Sequence, residues 1–170
     1  MPKKSPPAAS APKPVLIEPG KAAPVFNLPD QQGNKHRLSA LKGSWVVLYF
    51  YPKDNTPGCT TQACQFRDAT DELKARGAAV LGVSPDDTKS KAKFATKYDL
   101  NFPILADEGA AVCGKYGVWQ EKSMYGRKYM GVVRTTYLID PQGKVAQRFD
   151  KVKVKQHAAE VLAALDERLA

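Results

Sequence analysis

Two cysteines five positions apart, Cys59 and Cys64, carry the clearest chemistry in this sequence. Cys59 ends the run Pro52-Lys53-Asp54-Asn55-Thr56-Pro57-Gly58-Cys59, directly after the apolar stretch Trp45 to Tyr51. A cysteine attacks as its thiolate, and with an unperturbed pKa of about 8.5 it needs help near neutral pH. A helix N-terminus gives that help, because its free N–H groups and dipole favour negative charge in the first turn. Pro52 and the Pro57-Gly58 pair end the strand and turn the chain, so Cys59 is expected to open the next helix. The layout describes a nucleophilic thiolate followed by its own resolving thiol.

Spacing sharpens that description. Residues five apart on an intact helix are displaced about 7.5 Å along the axis and roughly 140° around it, so their Cα atoms lie about 8 to 9 Å apart. A disulfide requires less than about 7 Å. If the two cysteines bond during function, the first turns of the helix must unwind and rewind in each cycle. The same rotation sets Cys64 beside Arg67, Asp68 and Asp71, on the polar side, while Cys59 faces inward. The plainer readings are a bystander cysteine at 64 and an inert core cysteine at 59, but proline, threonine and glycine would not otherwise gather before Cys59. Cys59, Cys64 and Cys113 with His36 or His157 would supply four zinc ligands, yet the cysteine spacing matches no common paired-ligand knuckle. No metal or cofactor is expected.

The elements that must hold these residues are legible in outline. Trp45 to Tyr51 has no polar alternation, as in a central strand covered on both faces, and it delivers the reactive loop at its carboxyl end. Before it, Val25 to Leu28 and His36 to Leu38 flank Gly33-Asn34 and read as an N-terminal hairpin. From Cys59 to Arg76 one helix is expected, with Ala63, Phe66, Thr70 and Leu73 inward and Gly77 as its stop. Ala78 to Val83 is a second buried strand, Asp86-Asp87 starts a helix with Phe94, Ala95 and Tyr98 inward, and Phe102 to Leu105 is a brief strand. Gly109 to Tyr116 reads as a short helix that buries Cys113 as a small hydrophobe. Gln120 to Met130 reads as a polar, basic loop, in which Lys122 to Tyr129 mixes aromatic and basic groups. An apolar strand over Val132 to Ile139 contains Arg134, and Asp140 to Gly143 turns into a partner strand, Lys144 to Phe149. The last helix carries an inner stripe of Ala158, Val161, Leu162, Leu165 and Leu169. Early alternation of strands and helices followed by a late hairpin predicts an α/β fold with a central mixed sheet flanked by helices.

At 170 residues, the chain has room for one domain with a substantial core. Residues 1–14 are rich in Lys, Pro, Ala and Ser, with too few large apolar groups to pack, and are expected to form a tail to a domain over 15–170. Hydrophobic residues at 43% and charged residues at 25% fit a globular protein rather than a disordered one. No stretch approaches the roughly 20 apolar residues of a membrane span, and the basic start lacks the apolar core of a secretory signal. A cytoplasmic location is therefore expected, where free thiols stay reduced between cycles. The net charge of +9 raises nucleic acid as a partner. Its charges are spread through the chain without a recognition motif, so none is expected.

With these residues in view, the segment Pro52 through Cys59 fits the motif P-x-x-x-T-x-x-C and resembles the peroxiredoxins. The wider set Tyr51-Pro52-Lys53, Thr56-Pro57-Gly58-Cys59-Thr60, Gln62-Ala63-Cys64 and Arg67-Asp68 is similar to the bacterioferritin comigratory protein, or peroxiredoxin Q, branch, as is Arg134 to Asp140 with Gly143-Lys144. The resemblance runs from about Val15 to the end and implies a thioredoxin-like fold and a thiol-dependent peroxidase. It implies that Cys59 is the peroxidatic cysteine, converted by hydrogen peroxide or an alkyl hydroperoxide to a sulfenic acid. Cys64 would then resolve it as an intramolecular disulfide, reopened by thioredoxin or a similar thiol reductant. Thr56 would hydrogen-bond the thiolate or the incoming oxygen, Arg134 would stabilise negative charge, and Pro52 would shield the pocket. Arg134 lies within an apolar run, where an arginine without a partner would be costly. Neither histidine is assigned as a general base, and a monomer is the default.

Overall fold

The computed structural model describes residues 14–170, so most of the expected tail lies outside the described residues. Strand β1 (Asn27–Pro29) pairs antiparallel with β2 (Lys35–Arg37) to give the expected N-terminal hairpin. Asp30 shapes its turn, its Oδ1 accepting from the backbone N–H of Gln32 and Asn34. Strand β3 (Trp45–Phe50) leads through the reactive loop to helix α1 (Pro57–Asp68), followed by α2 (Thr70–Ala75), β4 (Ala78–Ser84) and α3 (Thr88–Tyr98). Then come β5 (Ile104–Ala106), α4 (Ala111–Lys115), β6 (Trp119–Met124), β7 (Arg127–Val132), β8 (Thr135–Ile139), β9 (Val145–Phe149) and α5 (His157–Leu169).

The central sheet runs β5-β4-β3-β8-β9. Strands β3, β4 and β5 are parallel, while β8 is antiparallel to both β3 and β9, which makes the sheet mixed as expected. Side chains of β3 alternate between two cores, as the two-residue period of a strand requires. Val46, Leu48 and Phe50 enter a core with Cys113, Tyr116 and Tyr137, whereas Val47 and Tyr49, followed by Tyr51, pack with Cys59, Phe66, Leu73, Phe94 and Val161. The sheet therefore separates Cys59 from Cys113.

Parts of the expected layout need correction, among them the single strand over Val132 to Ile139, which is broken between β7 and β8 at Val133-Arg134. The single helix over Cys59 to Arg76 is two helices, broken at Ala69 (φ −94°, ψ 2°). Thr70 Oγ1 lies 2.9 Å from the carbonyl oxygens of both Phe66 and Arg67, and a hydroxyl that competes for helical carbonyls in this way weakens the ladder. The loop from Gln120 to Met130 is instead a β-ribbon of β6 and β7. Its two-residue turn, Tyr125-Gly126, has positive φ at both positions (51° and 77°), the requirement of the tight hairpin turn whose twist matches its strands. Finally, Leu169 is 48% exposed, and Ala164 takes its place in the buried stripe of α5.

Candidate active site

The backbone turns of the reactive loop follow from its local sequence. Strand β3 ends at buried Phe50, buried Tyr51 follows it, and half-buried Pro52 turns the chain out of the sheet. Asn55 takes a left-handed conformation (φ 60°), and extended Thr56 caps α1, accepting the Thr60 N–H on its carbonyl at 2.8 Å. Pro57 then occupies the first helical position, where its missing N–H costs nothing. Cys59 is the third residue of α1, 1% exposed, in the first turn as expected.

Arg134 is not inside a strand. It sits in the joint between β7 and β8, which frees its side chain from the sheet's alternation. Its Nη2 donates to Cys59 Sγ at 3.3 Å and its Nη1 to Gln62 Oε1 at 2.6 Å. The forked guanidinium is thus held by one residue and directed at another, a geometry that an ammonium cannot copy. Gly58 leaves room for the approach, since a Cβ there would make a tight contact with Arg134 Nη2 at 3.3 Å. Thr56 Oγ1 donates its proton to Lys53 O at 2.9 Å, which leaves its lone pairs as acceptors. Lys122 on β6 completes the basic surroundings; partial burial and the nearby Arg134 charge lower its pKa, while Cys59 opposes that shift.

The three cysteines are free, and their settings differ. Cys64 is partly exposed on α1, near the half-buried Arg67. Both Cys59 and Cys64 belong to the same unbroken helix, so the helical separation of about 8 to 9 Å between their Cα atoms applies. Cys113 is fully buried beyond the sheet, and burial, together with the carboxylate of Asp107, pushes its thiol pKa up. It is held as an unreactive thiol.

The matching family profile is described as the AhpC/TSA family and covers residues 19–148. The chain belongs to the AhpC/TSA family. This AhpC/TSA chain is 47% identical to peroxiredoxin Bcp of Escherichia coli strain K12 over 151 residues, covering 89% of the chain and 97% of that protein. It is 44% identical to peroxiredoxin Bcp of Bacillus subtilis strain 168 over 151 residues, covering 89% and 96%. Among solved structures, a Xanthomonas campestris peroxiredoxin Q superposes with a TM-score of 0.83 at 41% identity, covering 93% of the chain and 99% of that structure. A structure of the bacterioferritin comigratory protein from the same organism, at 41% identity and TM-score 0.83, comes from work on its alkyl peroxide reduction and covers 92% of the chain and 99% of that protein. The peroxiredoxin Bcp branch and the thioredoxin-like fold are as expected from the sequence, and the enzyme class is thiol peroxidase.

Two parts of this AhpC/TSA site were not assigned from sequence. Gln62 lies three residues after Cys59, one helical turn on, and that spacing was the available signal for a partner of Arg134. His157, at the start of α5, is fully buried; its Nε2 lies 2.7 Å from Thr136 Oγ1 and its ring packs edge-on against Phe66 and Phe149. Burial lowers its pKa to about 4, helped by Arg134 and opposed by Glu160. The sign follows from proton binding: below pH 6.5 the unfolded chain protonates this ring while the folded chain does not. Stability is therefore full above pH 6.5 and declines as pH falls toward 4, by about 3 kcal/mol in total. Urea unfolding from pH 7.5 to 4.5 is expected to show this slope, and His157→Gln to flatten it. Parallel profiles for the two proteins would remove His157 as the titrating group.

Proposed function

We propose that Cys59 is the peroxidatic cysteine of a two-cysteine peroxidase and that Cys64 resolves it. The observation that carries the reading is the Arg134 guanidinium, 3.3 Å from a buried sulfur in the first turn of a helix and fixed by Gln62. The Cys59 thiolate attacks one peroxide oxygen, the O–O bond breaks, and the departing oxygen leaves as water or an alcohol once protonated. Sulfur gains the hydroxyl as a sulfenic acid and gives up two electrons. Arg134 stabilises the charge shared between sulfur and departing oxygen. Thr56 accepts a hydrogen bond from the peroxide O–H, and Pro52 limits water at the pocket. The Cys64 thiolate then attacks Cys59 Sγ, water is lost, and a disulfide forms, which spares Cys59 further oxidation.

A dithiol reductant supplies two electrons and reopens that disulfide; we assign this role to thioredoxin or a protein with the same chemistry. Hydrogen peroxide and alkyl hydroperoxides are the proposed substrates, the electron count closes without a cofactor, and a monomeric protein in the cytoplasm suits the cycle. We read residues 15–170 as one peroxidase domain preceded by the tail at 1–14.

Because α1 keeps the cysteines apart, resolution requires its first turns to open, and removal of the resolving thiol should strand the oxidised enzyme. Cys64→Ser is expected to react once with peroxide at the wild-type rate, then to accumulate sulfenic and sulfinic Cys59 by intact-protein mass spectrometry. Turnover with thioredoxin should fall at least about 100-fold. Sustained wild-type recycling in that variant would assign resolution to another thiol.

A further inference from the structure

Lys91 stands out in α3 as a lysine with no exposed surface. Helical spacing sets it in line with Phe94 and Tyr98, on the face that packs inward. Its Nζ lies 2.6 Å from Ser84 Oγ, 3.0 Å from Tyr51 Oη, and 3.1 and 3.4 Å from the two carboxylate oxygens of Asp54. Asp54 belongs to the reactive loop, two residues before Thr56 and five before Cys59, and its side chain is only 2% exposed. The Tyr51 hydroxyl donates to its Oδ1 at 2.5 Å and the Ser90 hydroxyl to its Oδ2 at 2.8 Å, while the Asp54 N–H donates to Asp86 Oδ2 at 2.7 Å. One carboxylate thus ties the loop to Tyr51 just after β3, to Ser84 at the end of β4 and to Ser90 and Lys91 of α3.

A buried ion pair is poor evidence of stability, since well-packed apolar groups in its place are often as stable or more so. It does fix geometry, because each charge tolerates only the arrangement that pairs it. Beyond Asp54 the ties are weaker: Lys97 Nζ reaches Asn55 Oδ1 at 3.4 Å, and Thr56 Oγ1 bonds back to Lys53 O. Asn55, with its left-handed backbone, follows the anchor directly.

We infer that the buried Asp54–Lys91 cluster is a positioning device that fixes the upstream end of the segment that unwinds during resolution. Asp54 stays locked to α3 while the chain from Asn55 onward swings. The cluster acts through Thr56 and the first turn of α1, without touching peroxide, and it balances the folded form that reacts with peroxide against the open form that makes the disulfide. This inference rests on Cys59 and Cys64 holding the roles proposed above.

The balance gives the test a direction that a purely structural role lacks. Loosening the anchor should slow the first step and speed the second. Ser90→Ala removes one hydroxyl from a half-buried position, and Lys91→Met removes the charge. Stopped-flow fluorescence is expected to show peroxide reaction about 3-fold slower in Ser90→Ala and roughly 10-fold or more slower in Lys91→Met. Mass spectrometry across a peroxide series is expected to show less sulfinic Cys59 per disulfide in both. If Lys91→Met does not fold, Ser90→Ala carries the test alone. Folded variants that keep both the peroxide rate and the sulfinic-to-disulfide ratio within 2-fold of wild type would overturn the inference. If instead wild type consumes no peroxide through Cys59, the reading of the site itself fails, a distinct result.

Discussion

Replacing Cys59 with serine is expected to cut peroxide turnover by at least about 10⁴-fold, to the background of the reductant alone. A serine hydroxyl stays protonated near neutral pH, and its oxygen cannot pass through sulfenic acid and disulfide states. The electron path is lost. The fold should survive, because serine fits the space of the thiol and Arg134 Nη2, now 3.3 Å from Sγ, retains an acceptor. The variant should unfold within a few degrees of wild type, which separates chemical from structural loss. Peroxide consumption with dithiothreitol as reductant checks it, and a serine variant with more than a hundredth of wild-type turnover would remove Cys59 from its role.

Loss of the Arg134 charge is expected to have the next largest effect. Arg134→Met should lower the second-order rate with peroxide by 10²- to 10³-fold, on the order seen when a fixed charge stabiliser is removed from a reaction centre. Arg134→Lys should recover only part of this, since an ammonium cannot bond Gln62 Oε1 and Cys59 Sγ together in the same fixed fork. Gln62→Ala should lie between wild type and Arg134→Lys, because it leaves the charge but releases its orientation. Pre-steady-state rates across these variants give the order. Equal rates for Arg134→Met and wild type would mean that the guanidinium plays no part in the reaction with peroxide.

Much of the site was written in local sequence. An unbroken apolar run marked the central strand, Pro57-Gly58 marked the turn into α1, and the threonine and cysteine of the reactive motif stand within that short segment. What escaped depends on contacts between distant segments. The polar strands of the ribbon over Trp119–Val132 lack the apolar alternation that marks a half-buried strand, and Tyr125-Gly126 is not among the dipeptides that most strongly announce a tight turn. The break at Ala69 depends on a threonine hydroxyl bonding backwards. Lys91 reads as a surface residue until Asp54, 37 positions earlier, is brought beneath α3. Arg134 stands out only through the resemblance to the peroxiredoxins, supported by its place in an apolar run, and the joint it occupies between β7 and β8 depends on where the two strands end.

The central claim is that one helix both activates Cys59 and keeps Cys64 from it, so that oxidation must open α1. Adding one equivalent of hydrogen peroxide to the reduced protein, trapping free thiols and mapping the disulfide by mass spectrometry tests this directly. The expected product is a single intramolecular Cys59–Cys64 bond, with Cys113 recovered as a free thiol. A disulfide that includes Cys113, a bond between two chains, or an unmodified Cys59 would contradict it.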